Sequence, residues 1–482
     1  MSIKSSKTPI FCFVIILLIG LPAFAQSEPE LTPKKSEAKT RRGKRPVIII
    51  PGIMGSELIN KETGEKVWFS FSRSDKEDLR LPIALNLRLS QDKLIAGDII
   101  RQIDIRFLPD IKVYQGIIDF LKDKGGYEEA SWEDPPKELE DKIFVFPYDW
   151  RRDNVETAQY LIEEIEELRR KTNRADIKFN VLAHSMGGII ARYAAMYGKA
   201  DLPNGKPRPD WSGEKYFGRM YFFGTPNEGS AEALDALLRG KSSLGGSTKV
   251  PFVRYLSPVD IATMPAVFQL LPHQQTAQFL DEDLNKIEID LYDVKNWRKY
   301  RWAIYGSDDF EKEFSLAEQG RFEQYFNLVL DRARKFHEAL NAKSSKPPSV
   351  SLHVVGSDCS PTLNALVVYE DKKENKWVTL TRPDSFRNSK GVKFGSDQLK
   401  NIMFAPGDGS VTRRSLLAET LKENGNRKND PAESALPLNS AFFVCENHEK
   451  ITNNPIIQNN VLTSLINEAG SGTEVGKRAA RP

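Results

Sequence analysis

Cysteine and histidine are scarce in this chain of 482 residues, which contains three cysteines and five histidines. They form no cluster with the spacing of a metal site, so the sequence predicts no metal and no other cofactor. No glycine-rich phosphate loop follows the first predicted strand, and no internal repeat is visible, which disfavours nucleotide-binding and repeat architectures. The composition, 40% hydrophobic and 28% charged, is typical of a globular protein.

A strong charge of one sign is absent from most of the chain. The formal net charge is +3, and residues 26–45 alone carry seven lysines and arginines against three glutamates. The positive charge therefore belongs to the N-terminal region. Because the rest of the chain lacks the basic surface that nucleic-acid binding requires, we expect no nucleic-acid partner.

The apolar run near the N-terminus is short for a membrane span. Two lysines, an apolar core from Ile10 to Leu21 and small residues up to Ala25 together predict a secretory signal peptide over residues 1–25. An uncleaved N-terminal membrane anchor is the alternative. We therefore expect a secreted or cell-envelope protein, periplasmic or extracellular, with residues 26–45 as a basic, disordered linker and residues 468–482 as a flexible tail.

Removal of the leader leaves two cysteines, Cys359 and Cys445. In an oxidising compartment they can form one disulfide. Two free, buried thiols are an equal alternative at the level of sequence.

The stretch from Lys178 to Met196 has the pattern of a buried strand, a sharp turn and a helix. Ser185 lies at the turn, and Gly187 and Gly188 follow it. A serine in this position is exposed on a strained elbow above the sheet, with a helix N-terminus beneath it, which suits a nucleophile in acyl transfer. The pattern begins with Ala183 instead of the commoner glycine, and alanine is still small enough for close packing. An ordinary exposed serine in a strand-to-helix turn is the alternative.

A second turn offers donors for a developing negative charge. Pro46–Ile50 is a dense β-branched run that predicts a buried strand, and Pro51–Ser56 follows it as a tight turn. In serine hydrolases one oxyanion donor lies in the loop after an early strand, and the other belongs to the residue after the nucleophile. The sequence thus predicts the backbone N–H groups of Met54 and Met186 as the oxyanion hole. An ordinary turn is the alternative.

Strands alternate with helices along the chain, which predicts an α/β fold with a mostly parallel sheet and helices on both faces. The main predicted strands are Pro46–Ile50, Lys142–Phe146, Lys178–Ala183, Arg219–Phe223, Val350–Val355 and Ser440–Val444. Residues 46–467 form the predicted folded domain. Within it, the long connection at about 56–110 is interpreted as a lid, or else as ordinary core.

The segment from about 231 to 346 shows helical patterns and no convincing strand, and we interpret it as a helical cap over the sheet. Its most apolar part, Val250–Pro272, either lines an apolar pocket or forms the core of the cap. Farther along, Ala365–Leu380 alternates around a polar turn, which predicts a β-hairpin.

A serine nucleophile needs a base, and the base needs an orienting acid. Among the five histidines, His448 lies on a loop after the last predicted strand, where the base is expected. His184 is adjacent to Ser185, so its ring should point away from the hydroxyl. The chain order serine, acid, histidine then requires an intervening carboxylate. Asp408, in a turn between two glycines, fits best, and Asp358 is second.

Six short segments occur in an order that is typical of one enzyme family: Ile48–Leu58, Pro147–Arg151, Ala183–Gly188, Gly224–Pro226, Gly407–Val411 and His448–Lys450. By these segments the chain resembles the lecithin:cholesterol acyltransferase family, which includes lysosomal phospholipase A2 and the phospholipid:diacylglycerol acyltransferases. The resemblance implies an α/β-hydrolase fold with a cap and a lid. It implies Ser185, Asp408 and His448 as the catalytic triad and Met54 and Met186 as oxyanion donors. It also implies glycerolipids or their acyl esters as substrates.

The leading hypothesis is therefore a serine-dependent lipid acyl hydrolase or O-acyltransferase that acts on glycerolipid or phospholipid acyl esters. Its acyl-enzyme intermediate would pass the acyl group to water or to an acceptor alcohol. The expected partner is a lipid or a membrane surface, and the sequence makes no prediction about oligomeric state. The alternatives are an esterase on small non-lipid esters and a catalytically inactive, envelope-associated binding protein.

Overall fold

The computed structural model describes residues 43–69, 79–103, 111–242, 255–273, 276–420 and 433–468. The predicted signal peptide, all but the last three residues of the predicted linker, and the predicted tail beyond residue 468 lie outside these ranges.

A seven-stranded sheet forms the centre of the described part of the chain. Its strands are β1 (Val47–Ile50), β2 (Glu128–Glu129), β3 (Lys142–Val145), β4 (Phe179–His184), β5 (Phe217–Phe223), β6 (Ser351–Gly356) and β7 (Leu438–Phe443). Their spatial order is β7–β6–β5–β4–β1–β3–β2, and every neighbouring pair is parallel. The predicted parallel sheet is confirmed, with the two-residue β2 as an addition.

Strand β1 shows why the sheet is buried on both faces. Its four residues are all β-branched, and each is at most 2% exposed. Because successive side chains point to opposite faces, Ile48 and Ile50 join one hydrophobic core, and Val47 and Ile49 join another. A continuous apolar run is the sequence signature of such a two-sided strand.

Helices cover both faces of the sheet. The long ones are α1 (Gln115–Gly125), α2 (Asn154–Thr172), α3 (Met186–Tyr197), α4 (Ala231–Arg239), α5 (Leu316–Leu340) and α6 (Pro455–Glu468). The short ones are Pro258–Ile261, Pro265–Phe268, Val294–Lys299, Asp308–Glu313, Ser396–Met403 and Arg413–Leu416, with 3₁₀ turns at Leu87–Leu89, Glu214–Tyr216, Ala303–Gly306 and His448–Asn453. Helix α2 illustrates the local logic: the Asp153 side chain caps its first turn, and its apolar stripe packs into the core.

The chain order places a natural crevice at the carboxyl ends of β1 and β4. From β1 the chain first builds β2 and β3 on one side, and then crosses to β4 on the other side. Such a reversal leaves a gap above the sheet edge where α/β proteins bind ligands. The turns that follow these two strands, Pro51–Gly55 and Ser185, meet there.

The segment predicted as a lid contains a small antiparallel sheet. Its strands are Ser56–Asn60, Lys66–Trp68 and Leu94–Ile99, and Gln102–Ile103 pairs separately with Ile111–Lys112. Leu58 and Trp68 are at most 2% exposed, so this part packs as core. The lid function of the segment stays a prediction, and residues 70–78 and 104–110 lie outside the described ranges.

The cap segment is mostly helical, but the prediction that it contains no strand is wrong. Lys241–Ser242 pairs with Tyr255–Leu256, and Gln278–Leu280 pairs with Lys286–Ile287 and with Ala365–Asp371. These strands escaped prediction because two or three residues are too few to show alternation. The predicted hairpin is confirmed by the pairing of Ala365–Asp371 with Lys376–Leu380. Other short pairs join Ser360–Leu363 to Phe404–Gly407, Phe386–Arg387 to Lys393–Phe394, and Glu419–Thr420 to Glu433–Ser434.

The apolar part of the cap is largely buried over its described residues, 255–272. The large apolar side chains from Leu256 to Leu271 are at most 7% exposed. This burial favours cap core over the lining of an open pocket. Residues 250–254 lie outside the described part.

Cys359 and Cys445 form a disulfide, with their Cα atoms 5.3 Å apart. It joins the segments that follow β6 and β7 and lies three residues before His448. Over the residues that the structure describes, no helix is long and apolar enough to cross a membrane.

Candidate active site

Ser185 stands between β4 and α3 in a left-handed backbone conformation, with φ 53° and ψ −125°. This conformation is strained for a serine and is that of a nucleophile elbow. The two glycines that follow let the helix start close to its neighbours. A Cβ on Gly187 would lie 2.5 Å from the carbonyl oxygen of Pro51. A Cβ on Gly188 would lie 1.9 Å from Oγ1 of Thr225.

Three polar side chains that are far apart in sequence meet at this elbow. Oγ of Ser185 lies 3.0 Å from Nε2 of His448, and Nδ1 of His448 lies 2.8 Å from Oδ2 of Asp408. All three residues are buried, with at most 9% of each exposed. Because an ionised carboxylate can only accept, Nδ1 of His448 carries the proton, and Nε2 is left to accept from the serine hydroxyl. This is the arrangement of a nucleophile, a base and an orienting acid.

The acid and the base are electrostatically coupled. Burial by itself lowers the pKa of His448, but the charge of Asp408 and its hydrogen bond outweigh burial and raise that pKa above its ordinary value of 6.5. Burial likewise raises the pKa of Asp408, and the histidine together with two backbone N–H groups lowers it below 3.8. Those N–H groups belong to Ser410 and Val411 and donate to Oδ1 at 3.0 and 2.7 Å. The carboxylate therefore stays ionised at neutral pH.

Gly224, directly after β5, makes room for this pair. It has φ +54°, and a Cβ built on it would lie 2.8 Å from Oδ2 of Asp408 and 2.9 Å from Nδ1 of His448. Both distances are shorter than real Cβ contacts, so any side chain here would displace the acid or the base. The glycine is thus part of the site although it has no reactive group.

The second candidate acid and the other histidines lie elsewhere. Oδ2 of Asp358 accepts a hydrogen bond from Arg413 at 3.1 Å, and this carboxylate does not contact His448. His353 lies within β6. His337, in α5, stacks on His273 with ring centroids 5.1 Å apart. None of these groups contacts Ser185 in the described part of the chain.

The turn Pro51–Gly55, called the oxyanion loop below, has two of its carbonyl groups bonded by aromatic side chains. The hydroxyl of Tyr148 donates to the carbonyl oxygen of Pro51 at 2.8 Å. Nε1 of Trp68 donates to the carbonyl oxygen of Met54 at 2.9 Å. Met54 itself has φ 61°, a backbone conformation that residues other than glycine rarely adopt.

The two backbone amides predicted as oxyanion donors belong to Met54 and Met186. Within the described ranges, neither N–H group donates a hydrogen bond. Met186 is the first residue of α3, where backbone N–H groups lack intrahelical acceptors. The loop packs closely on the elbow, since a Cβ on Gly52 would lie 2.8 Å from Cβ of Ser185. Free backbone amides can stabilise an oxyanion, and this role of Met54 and Met186 stays a prediction.

Sequence reasoning missed the aromatic residues that support the site, Tyr114, Tyr148 and Trp68. The two tyrosines bond to residues 62 and 97 positions away in the chain, and no local pattern marks such a partner. The ring of His184 is directed away from the serine hydroxyl, as its position next to Ser185 in the sequence predicts. Its Nδ1 lies 2.8 Å from the hydroxyl of Tyr114.

No group of three or more histidine, cysteine, aspartate and glutamate side chains is arranged to hold a metal ion within the described ranges.

A parallel sheet with helices on both faces and a serine elbow at its carboxyl edge defines the α/β-hydrolase class. The sequence profile named "Lecithin:cholesterol acyltransferase" matches residues 137–430, more than half of the chain. The chain therefore belongs to the lecithin:cholesterol acyltransferase family, and with it to the lipid-acting acyl hydrolases and acyltransferases. The matched range contains Ser185 and Asp408 and ends before His448.

Solved structures that are similar to this chain have low sequence identity to it. The Tle4–Tli4 complex contains a chain with a TM-score of 0.53 and 15% identity, over 88% of this chain and 98% of that one. The mature form of Bacillus licheniformis lipase BlEst2 has a TM-score of 0.32 and 12% identity, over 88% and 92%. EstA from Clostridium botulinum has a TM-score of 0.34 and 13% identity, over 89% and 90%. A search of curated protein sequences finds no match.

Proposed function

We propose that this protein is a serine-dependent lipid acyl hydrolase or O-acyltransferase that acts on acyl esters of glycerolipids or phospholipids. The observation that carries the proposal is the continuous hydrogen-bond line from Ser185 through His448 to Asp408, with distances of 3.0 and 2.8 Å. Family membership supports the lipid class of the substrate.

In the proposed mechanism, Nε2 of His448 takes the proton of Ser185 as Oγ attacks the ester carbonyl carbon. Asp408 accepts the Nδ1–H bond throughout and stabilises the imidazolium. The tetrahedral intermediate collapses to an acyl-enzyme as the imidazolium returns its proton to the leaving alcohol. Water or an acceptor alcohol then attacks the acyl-enzyme with the same histidine as base, which yields a free fatty acid or a new ester.

The backbone amides of Met54 and Met186 are proposed to hold the oxyanion of both tetrahedral intermediates. The loss of one such donor costs about 3–4 kcal/mol of transition-state stabilisation in comparable sites. The oxyanion loop is held by its carbonyl groups, at Pro51 and Met54, which leaves the Met54 amide free to bind the ligand.

The proposed compartment is the cell envelope or the exterior. The signal-peptide pattern at residues 1–25 motivates this proposal. The Cys359–Cys445 disulfide supports it, because disulfides persist mainly in oxidising compartments.

The nucleophile can be tested by labelling with a fluorescent phosphonate, which reacts with activated serines. We expect labelling of the wild type and none of Ser185→Ala. Ser464→Ala is the control: its hydroxyl bonds to Arg219 and Tyr221, and its loss should leave labelling intact. Equal labelling of Ser185→Ala and wild type, with both folded, would rule out this nucleophile.

The substrate class can be tested with mixed phospholipid vesicles, with and without a long-chain alcohol. We expect free fatty acid without the alcohol and additional alkyl ester with it, identified by mass spectrometry, and neither product with Ser185→Ala. A clear preference for soluble esters of very short acyl chains would contradict the lipid assignment and favour a small-ester esterase.

A further inference from the structure

A buried chain of hydrogen bonds joins the oxyanion loop to the loop that carries His448. The backbone N–H of Gly52 donates to the hydroxyl oxygen of Tyr114 at 2.8 Å. That hydroxyl lies 2.8 Å from Nδ1 of His184. Nε2 of His184 lies 3.1 Å from the backbone carbonyl oxygen of His448. Tyr114 and His184 are 3% and 9% exposed, so water does not compete for these bonds.

Chemistry fixes the direction of every bond in this chain. A carbonyl oxygen only accepts, so Nε2 of His184 must carry a proton and donate to His448. Burial, and then the nearby charge of His448, lowers the pKa of His184 to about 3, so its ring is neutral. Nδ1 is then a lone pair that only accepts, and the donor to it is the hydroxyl of Tyr114. The same oxygen accepts from Gly52, so the Tyr114 hydroxyl donates one hydrogen bond and accepts another.

The two ends of this chain of hydrogen bonds lie on the two sides of the proposed reaction centre. Gly52 lies two residues before the Met54 amide, and His448 supplies both the carbonyl at the other end and the catalytic ring. The middle member, His184, is covalently adjacent to Ser185. Clearance is small at this point: a Cβ on Gly52 would lie 2.8 Å from Cβ of Ser185 and 3.3 Å from Nδ1 of His184.

We propose that Tyr114 and His184 are positioning residues that fix the oxyanion loop and the His448 backbone relative to each other across Ser185. This inference rests on the proposed function. Tyr148 and Trp68 also hold the oxyanion loop, but each bonds one of its carbonyl groups. In the described residues, Tyr114 is the side chain that connects the loop to the base.

The primary test is Tyr114→Phe, which removes one buried oxygen and keeps the ring. We expect kcat for a soluble p-nitrophenyl ester to fall about tenfold to a hundredfold, because sub-ångström misplacement of catalytic groups is costly. KM should stay within twofold, since the variant removes no group that contacts the substrate. The matched control is Tyr197→Phe, where a buried hydroxyl donates to Ala339 at 2.8 Å, and it should lose stability without the fall in kcat.

A double-mutant cycle of Tyr114→Phe with His184→Gln tests whether the two residues act through one connected chain of hydrogen bonds or have two separate structural effects. Glutamine keeps a donor near the Nε2 position and loses the acceptor for Tyr114. Residues that act through one chain should show non-additive losses, so the double variant should lose little more kcat than the worse single variant. Losses that multiply would overturn the inference, as would a Tyr114→Phe variant with kcat within twofold of wild type.

Nitrogen-15 NMR of histidine-labelled wild type gives a test that needs no variant in this chain of residues. We expect His184 as the neutral tautomer with the proton on Nε2, at pH 6 and at pH 8, and an Nδ1–H tautomer would overturn the inference. If the wild type hydrolyses no ester and no phosphonate labels it, the proposed function fails, and this inference fails with it. An active wild type with the wrong tautomer overturns only the inference.

Discussion

The substitution Gly224→Ala tests the site with the smallest change in composition. Gly224 has φ +54°, and an added Cβ would lie 2.8 Å from Oδ2 of Asp408 and 2.9 Å from Nδ1 of His448. Ordinary van der Waals contacts begin at 3.4 Å. The acid and the base must therefore move by about half an ångström, which is the tolerance of a catalytic constellation.

Two costs can be separated in this variant. An L side chain in a left-handed conformation costs about 1–2 kcal/mol of folding free energy wherever it occurs. The displacement of the acid–base pair is specific to this position. A misplacement of 1 Å costs about a hundredfold in rate, so half that distance should lower kcat about tenfold. A tenfold loss is about 1.4 kcal/mol of transition-state stabilisation.

Gly126→Ala is the matched control. Gly126 ends α1 with φ +65°, and no atom lies within 4 Å of its added Cβ. Both variants should lose about 1–2 kcal/mol of unfolding free energy from backbone strain, measured by denaturant titration. Hydrolysis of a p-nitrophenyl ester, normalised to the phosphonate-reactive fraction, should fall in Gly224→Ala alone. Equal kcat in the two folded variants would refute the reasoning that Gly224 shapes the acid–base pair.

Three further perturbations follow from the charges. Asp408→Asn should lower kcat on a soluble ester by about a thousandfold or more, whereas Asp358→Asn should leave it within threefold. In the wild type, kcat/KM should rise with pH through an apparent pKa above 6.5, because the acid raises the pKa of the base and only neutral imidazole accepts the serine proton. Burial raises the pKa of Glu228 from 4.5 to about 7, so the folded wild type binds more protons than the unfolded chain between these values and loses stability as pH rises. From pH 5 to pH 8, Glu228→Gln should therefore gain about 2–3 kcal/mol of unfolding free energy relative to wild type.

Each of these predictions has an opposing result. A greater loss of kcat in Asp358→Asn than in Asp408→Asn would assign the role of the acid to Asp358. A pH–rate profile whose apparent pKa lies below 6.5 would contradict the coupling of acid and base. For the buried glutamate, Glu163→Gln, at an exposed position of α2, serves as the control, and a difference between Glu228→Gln and wild type that does not change with pH would contradict the raised pKa.

The sequence by itself determined the parallel sheet and the elbow. The β-branched run in β1 and the strand–turn–helix around Ser185 are encoded by neighbouring residues, since periodicity and small side chains act over a few positions. The two-residue strands of the cap were not predicted because their pairing depends on distant partners and leaves no local period. For the segment at 56–110 the sequence predicts a long connection that forms a lid or else ordinary core, and it does not show that three strands of the segment form a packed sheet.

For the candidate site, too, the sequence predicts some features and only the tertiary structure shows the others. Chain order and loop position selected His448 from five histidines, and a glycine-flanked turn ranked Asp408 above Asp358. Only the tertiary structure brings Asp408 within 2.8 Å of His448 and directs Asp358 to an arginine. Their catalytic roles stay proposals that the variants above test.

Other features of the site were decided by tertiary structure alone. The space that Gly224 leaves open, the disulfide between residues 86 positions apart, and the Tyr114–His184 chain all depend on groups that meet only when the sheet has formed. A hydrogen bond between residues 70 positions apart leaves no mark on either local sequence, because its energy comes from burial that the surrounding fold creates. The sequence thus specified which residues could carry the chemistry, and packing specified which of them touch.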